Sequence, residues 1–305
     1  MLFETPITRL KEEYNDNRFY VKREDLLPFC FGGNKVRKAE LFFGDLRSNN
    51  SDVVVTYGSS SSNHCRIIAN MAALNNIKCY IISPEEGYEE TYNSKMVGLF
   101  GASIVKTPLD CVADTIEKTM LDLKKRYTPY FIKGGGHGNL GTQAYVNAYE
   151  EILQYEKENN ICFDYIFLAS GTGTTQAGLI AGKIKNKNIT QKIVGISIAR
   201  KNPYGRQVII DSLKEYFNSN INYESDVIFI DKYICEGYGE YNSDILGTIK
   251  DVLFFDGIAL NATYTGKAFW GMKKYIEENG IKNKNILFLN TGGTPLFFDG
   301  LEALS

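Results

Sequence analysis

The chain is poor in the residues that hold metals or cross-link a fold. It has 2 histidines, and its 6 cysteines, at positions 30, 65, 79, 111, 162 and 235, form no CxxC or other zinc-like spacing. That excludes a disulfide framework and a zinc module, and a chain of 305 residues buries enough apolar surface to need neither. Cysteines so scattered are expected to be reduced core thiols of a cytoplasmic protein. An excess of charge of one sign is missing too. Lys plus Arg number 34 against 36 for Asp plus Glu, a formal net charge of -2, and no basic block is interleaved with aromatics, so nothing favours a nucleic-acid partner. No apolar run approaches the roughly 20 residues of a membrane span. The opening stretch "MLFETPITRLKEEYNDN" lacks the charged-then-apolar pattern of a signal peptide. A small-molecule partner is what remains, with no nucleic acid and no membrane.

What the chain does have is one pattern written three times: a short aliphatic run, a turn rich in Gly, Ser or Thr, then a helical pattern. It occurs from Asp52 ("DVVVTYGSSSSNHCRIIANMAALNN"), from Tyr165 ("YIFLASGTGTTQAGLIAGKI") and from Asn285 ("NILFLNTGGTPLFF"). Further buried strands are predicted at 77–84, 101–107 and 192–200. Continuous apolar runs alternating with helices predict an α/β fold, mostly parallel sheets with helices on both faces. Such sheets bind ligands beyond the carboxyl ends of their strands, where these polar turns lie. The glycine-rich stretch "GGGHGNLG" at 134–141 is the strongest mid-chain loop signal. It suggests a small α/β lobe over 46–150 and a larger lobe from 1–45 plus 151–305.

Four turns carry the chemistry. In "FGGNKVRKAE" Lys35 follows Gly32, Gly33 and Asn34, a tight turn that delivers its side chain to a particular place, with Arg37 and Lys38 following on a predicted helix. In "SGTGTTQAGL", residues 170–179, a strand closes and a helix opens, so unpaired N–H groups and threonine hydroxyls form a cradle suited to phosphate. It is not a Walker A loop. Nor is it a dinucleotide fingerprint, because Gln176 takes the third glycine position and Ala199 and Arg200 end the next strand where an acid would stand. "YGSSSSNHCR", with Ser61, Ser62, Asn63 and His64, is placed to meet a carboxylate or simply to cap a helix. "NTGGTP" is a fourth such turn, and each of the four has a purely structural alternative. His64 and His137 both lie in polar turns, and without a GxSxG motif a hydrolytic triad is not expected. An amino acid bound through its carboxylate, and a phosphorylated aldehyde bound through a lysine, would use all four turns. Pyridoxal 5'-phosphate meets that description.

"VKREDLLPFCFGGNKVRKAE", "SSNHCR", "SGTGTTQAGL", "EGYG", "TYTGKAFWGM" and "NTGGTP" together resemble the 1-aminocyclopropane-1-carboxylate deaminase/D-cysteine desulfhydrase family. These are two-lobed, fold type II pyridoxal-phosphate enzymes of the tryptophan-synthase-β-like group, and the likeness runs nearly end to end. It implies that Lys35 holds the cofactor covalently and then moves the substrate α-proton, with Asn34 positioning it. It implies Asn63 as partner of the cofactor's phenolic oxygen, Thr172, Gly173, Thr174 and Thr175 as phosphate ligands, and Thr291 at the pyridine nitrogen. Ser62 and Tyr238 become catalytic residues facing the substrate, with Ser61, Asn63 and His64 beside it.

A threonine at 291, where deaminase-type members carry leucine, places the chain nearer the desulfhydrase side. The activity implied is α,β-elimination on a small amino acid, giving a 2-oxo acid, ammonia and the leaving group, in a homodimer. Three departures fall on the substrate side: Ser61 stands for a usual glutamine, Asn261 for an aspartate and Asn290 for a histidine. Cyclopropane-ring opening, β-replacement and a non-catalytic cofactor-binding protein are the alternatives.

Overall fold

The computed structural model describes residues 4–304. In chain order the elements are β1 (Ile7–Tyr14), β2 (Asn17–Arg23), α1 (Asn34–Ser48), β3 (Val53–Tyr57), α2 (Asn63–Leu74), β4 (Lys78–Pro84), α3 (Tyr92–Leu99), β5 (Ser103–Thr107), α4 (Val112–Lys124), β6 (Pro129–Ile132) and α5 (Asn139–Asn159). There follow β7 (Tyr165–Ser170), α6 (Thr174–Lys185), β8 (Lys192–Ser197), α7 (Tyr204–Phe217), β9 (Ile228–Ile230), α8 (Ser243–Asp256), α9 (Thr265–Glu278), β10 (Asn285–Asn290), α10 (Thr294–Asp299) and α11 (Leu301–Leu304). They build two sheets, a six-stranded one in the order β1-β2-β10-β7-β8-β9 and a four-stranded one in the order β5-β4-β3-β6. All pairings are parallel except β1 with β2, which is an antiparallel hairpin.

The apolar strands are continuous because both faces of each sheet are covered. In β10, Leu287 and Leu289 join a core with α5, α6 and α7, while Ile286 and Phe288 join a second core with α8 and α9. Alternate residues of one strand therefore feed two different cores. The smaller sheet is organised likewise, with Val54 facing α1 and α2, and Val53 and Val55 facing α4. Phe288 stacks edge-on against Phe269 with centroids 5.0 Å apart, and truncating it to alanine would cost about 3–5 kcal/mol.

The six strands read from the sequence are present as β3, β4, β5, β7, β8 and β10. Residues 198–200 leave the ladder and turn into the ligand region instead of extending β8. The hairpin β1–β2 and the short edge strands β6 and β9 are additional. Residue 150 falls inside α5, an unbroken 21-residue helix. This helix lies so tightly on α6 that a Cβ at Gly178 would sit 2.4 Å from Tyr145 Cβ. The carboxyl ends of β3, β7 and β10 point to one region, where the three polar turns meet.

Candidate active site

A cavity of about 380 Å³ lies at that meeting point, lined by residues of every motif singled out above. Lys35 reaches it from an unusual turn. Phe29, Cys30, Phe31, Gly32 and Gly33 all have positive φ, and a Cβ at Gly32 would lie 2.4 Å from the Asp25 carbonyl oxygen. Gly33 donates its N–H to the Glu24 carbonyl (2.8 Å) and Asn34 donates to the Thr291 carbonyl (3.0 Å), which fixes the start of α1 against the loop after β10. Lys35 then enters the cavity and donates to the Gly135 carbonyl at 3.2 Å. No carboxylate meets it among the described residues, and burial lowers its pKa to about 8. Lys38, one turn on, is fully buried and donates to the same carbonyl at 3.5 Å. Burial and the neighbouring Lys35 charge push its pKa well down.

The phosphate cradle is the turn from β7 into α6. Gly171, Thr172, Gly173 and Thr175 line the cavity, and first-turn N–H groups of a helix have no partner within it. Asn34 Nδ2 donates to Thr175 Oγ1 at 3.1 Å, tying the lysine turn to the cradle. Thr174 is different: its buried hydroxyl pairs with His137 Nδ1 at 2.9 Å and turns away from the cavity, so only its main chain is available. His137 is thus a fixture that braces the cradle. Ser170 Oγ is buried in this wall without a hydrogen-bond partner, whereas the unpartnered Gln176 Oε1 packs against Gly195 of β8. Among the described residues the cavity's charged lining is Lys35 and Arg200, with no carboxylate. An orphaned serine hydroxyl, a helix N-terminus, threonine hydroxyls and an amine of depressed pKa suit a phosphorylated aldehyde.

The opposite wall is the start of α2. Ser62 caps that helix, its Oγ accepting from Cys65 N at 3.2 Å, which leaves its own proton to donate. Asn63 Oδ1 accepts from Arg66 Nη1 (2.8 Å) and Asn93 Nδ2 (3.1 Å), so both acceptor sites are taken and the remaining polar group, Nδ2, is the donor offered to a ligand. His64 is buried. The Thr56 hydroxyl donates to the Ile132 carbonyl (2.7 Å), so it accepts from His64 Nε2–H (2.8 Å) and leaves Nδ1 as the acceptor. Burial, with Lys35 and Lys38 nearby, holds this imidazole neutral.

Tyr238 lines the mouth, sharing hydrogen bonds with Tyr264 (2.6 Å) and with Ser61 (3.3 Å), which sits just behind the lining. Thr291 lies 8% exposed in the lining, after β10. Of the three departures, Asn261 is structural: its Nδ2 donates to the Gly292 carbonyl (3.0 Å) and Thr265 Oγ1 (3.1 Å), pinning the loop beside Thr291. Asn290 is fully buried, with its Nδ2 unpartnered.

Arg37 and Lys38, whose place was open between the site and the helix surface, are both buried. Arg37 leaves the site, donating to Glu24 (2.6 and 2.9 Å) and to Glu151. Sequence reading missed Tyr57, Gly135, Arg200 and Tyr264 as lining residues. Tyr264 stands in the quoted "TYTGK" and Arg200 at a strand end, and both carried a positional signal. Arg66 closes the quoted "SSNHCR", whereas nothing local marked Asn93; both act through Asn63.

A family model described as pyridoxal-phosphate dependent enzyme matches residues 2–292. The chain belongs to that family, and pyridoxal phosphate is its cofactor. D-cysteine desulfhydrase of Serratia proteamaculans is 30% identical, with 96% of this chain and 92% of the relative covered. The enzyme of the same name from Yersinia enterocolitica is 29% identical over the same shares. The crystal structure of an ACC deaminase homologue, 29% identical, superposes with a TM-score of 0.87 over 99% of this chain and 93% of the other. A hydrogen sulfide-producing enzyme from Fusobacterium nucleatum, 20% identical, shares the fold with a TM-score of 0.71 over 96% of each chain. The resemblance drawn from the motifs, the fold type and the cofactor are thereby borne out.

Proposed function

We propose that this pyridoxal-phosphate dependent lyase performs α,β-elimination on a small amino acid in the manner of a D-cysteine desulfhydrase, releasing a 2-oxo acid, ammonia and the leaving group. The observation that carries the reading is Lys35: an amine without a carboxylate partner, its pKa near 8, in one cavity with the phosphate cradle and the α2 N-terminus. When bound, the cofactor supplies an electron sink for charge developing at the substrate α-carbon. In this reading Lys35 Nζ holds the cofactor and, once released, takes the α-proton, with Asn34 fixing the turn behind it. At a pKa of about 8 about a tenth of the amine is neutral at pH 7, against well under a thousandth for an ordinary lysine.

Thr172, Gly173, Thr175 and the Thr174 main chain hold the phosphate, and Asn63 Nδ2 donates to the phenolic oxygen. Thr291 would offer the ring nitrogen a neutral hydroxyl, which would not hold a full proton there as a carboxylate would. Ser62 and the first-turn N–H groups of α2 receive the substrate carboxylate, with His64 behind them. Tyr238, steered by Ser61 and Tyr264, closes the mouth and delivers a proton on the leaving-group side. The desulfhydrase relatives support this substrate class.

The reading includes a homodimer in the cytoplasm. Exposed apolar side chains on α3, α8, α10 and α11 (Leu99, Phe254, Phe298 and Leu301) support the first; for the second, Cys65 and Cys79 are the core thiols expected, whereas Cys30 and Cys235 are half-buried and Cys111 and Cys162 are exposed, all of them free. The division into lobes, with 46–150 the smaller, belongs to it too. Both cuts fall inside helices, the one at 45/46 in α1 and the one at 150/151 in α5.

The test is a screen of D- and L-amino acids, with the cyclopropane substrate, for 2-oxo acid and ammonia. D-cysteine is expected to give pyruvate, sulfide and ammonia. Release of 2-oxobutanoate from the cyclopropane substrate alone would overturn the desulfhydrase reading.

A further inference from the structure

Lys267 on α9 is fully buried, and among the described residues it makes no ion pair, the Glu240 carboxylate acting on it only from a distance. It donates instead to three main-chain carbonyls: Gly237 at 2.8 Å, Ile234 at 3.0 Å and Ile198 at 3.4 Å. Stripping an ammonium of water is costly, and an apolar side chain would fill the same space without that cost. What the charge adds is a junction between two segments. Ile198 lines the cavity just before Ala199 and Arg200, and Gly237 precedes Tyr238.

The connection between β9 and α8 has no regular structure around Tyr238. Gly237 (φ 152°) and Gly239 (φ 85°) lie in backbone regions that only glycine occupies readily, and Cys235 is left-handed (φ 56°). Among the described residues, the side-chain hydrogen bonds that hold 234–241 are those made by Lys267 to Ile234 and Gly237 and those made by the Tyr238 hydroxyl, while Cys235 and Glu236 form a main-chain turn. Tyr264 and Lys267 stand three residues apart at the start of α9, so they face one side and grip the connection at adjacent points. Ser61 holds the same hydroxyl from across the cavity mouth.

We propose that Lys267 is a positioning residue: its ammonium clasps the Ile234 and Gly237 carbonyls and so sets Tyr238 over the cavity, where Tyr264 and Ser61 aim the hydroxyl. The inference rests on the role given to Tyr238 above and adds the group that places it. Lys267 itself touches no substrate atom.

The experiment compares the cofactor-loaded wild type with Lys267→Met and, in parallel, Lys267→Gln, which keeps donors without the charge and supplies a readout if the methionine variant fails to accumulate. Amide hydrogen exchange, read without substrate, is expected to speed up by about tenfold or more across 234–241 while the strands of both sheets are unchanged. On the amino acid found in the screen, kcat/KM is expected to fall about ten- to a hundredfold. Adding Lys267→Met to Tyr238→Phe is expected to cost little further, since both act through one hydroxyl. Unchanged exchange at 234–241, or a rise spread evenly over the chain, would overturn the clasp. Fully additive kinetic losses would overturn its action through Tyr238. Because exchange needs no turnover, a chain inactive on every amino acid offered would count against the functional reading alone.

Discussion

Two sides of one helix handle positive charge in opposite ways. On one side of α1, Arg37 meets the buried Glu24 and Glu151. Burial works against the guanidinium, but those carboxylates outweigh it and keep it charged. Lys22 and Tyr145 join the same network, each bonding to one of the two carboxylates at 2.8 Å. Glu24 is correspondingly held below the ordinary carboxyl range, since Arg37 and Lys22 overcome its burial. On the other side, Lys35 and Lys38 share one carbonyl oxygen, and burial acts on them unopposed. Lys35 and Arg37, only two positions apart, therefore become a reactive amine and a fixed cation. The difference is made by where Glu24 and Glu151 lie, not by anything in α1 itself.

Removing Lys35 should break the reactive side outright. Lys35→Ala is expected to lower kcat about a thousandfold or more and to abolish the borohydride-sensitive yellow colour, with the fold intact by circular dichroism. Arg37→Met breaks the other side: it takes the guanidinium from the buried Glu24 and leaves the half-buried Glu151 with Lys22 alone, and it should cost about 3–5 kcal/mol in urea unfolding, while activity per folded molecule stays near wild type. Its pH signature has a definite sign. Glu24, with its carboxyl lowered on folding, contributes stability in full above its unfolded value of about 4.3, and that contribution is lost as pH falls through the lower folded value.

Thr172→Ala, which takes one hydroxyl from the cradle, should weaken cofactor retention about tenfold in apo-protein titration and leave unfolding almost unmoved. The smallest effect sharpens the contrast. Lys38→Met removes a fully buried amine with no carboxylate partner, so it should stabilise the apo-protein by about 1 kcal/mol at pH 7. Since the unfolded chain binds that proton and the folded one resists it, wild-type stability rises with pH between the folded value and about 10.4, and the advantage of the variant fades over the same range.

The central strands were legible because burial on both faces writes an unbroken apolar run, as in "VVV" of β3 and "ILFL" of β10. The hairpin strand β1, "ITRLKEEY", was not, because an edge strand with one solvated face carries Lys11, Glu12 and Glu13. β6 and β9 are too short, at 4 and 3 residues, to show a period. In the site, the polar turns declared themselves through glycine and hydroxyl residues at strand ends. What stayed hidden was set by partners distant in sequence. The Thr174 hydroxyl is taken by His137, 37 residues earlier, and Asn63 is oriented by Asn93, 30 residues later. The same distance in sequence concealed the fates of Arg37 and Lys38.

The most direct test is the titration of Lys35 itself. In apo-protein carrying ¹³C-methylated lysines, with the resonance assigned by its loss in Lys35→Arg, the chemical shift of Lys35 should titrate at about pH 8. A midpoint near 10.5, the ordinary lysine value, would contradict the claim that this amine is stripped of water and of counter-charge.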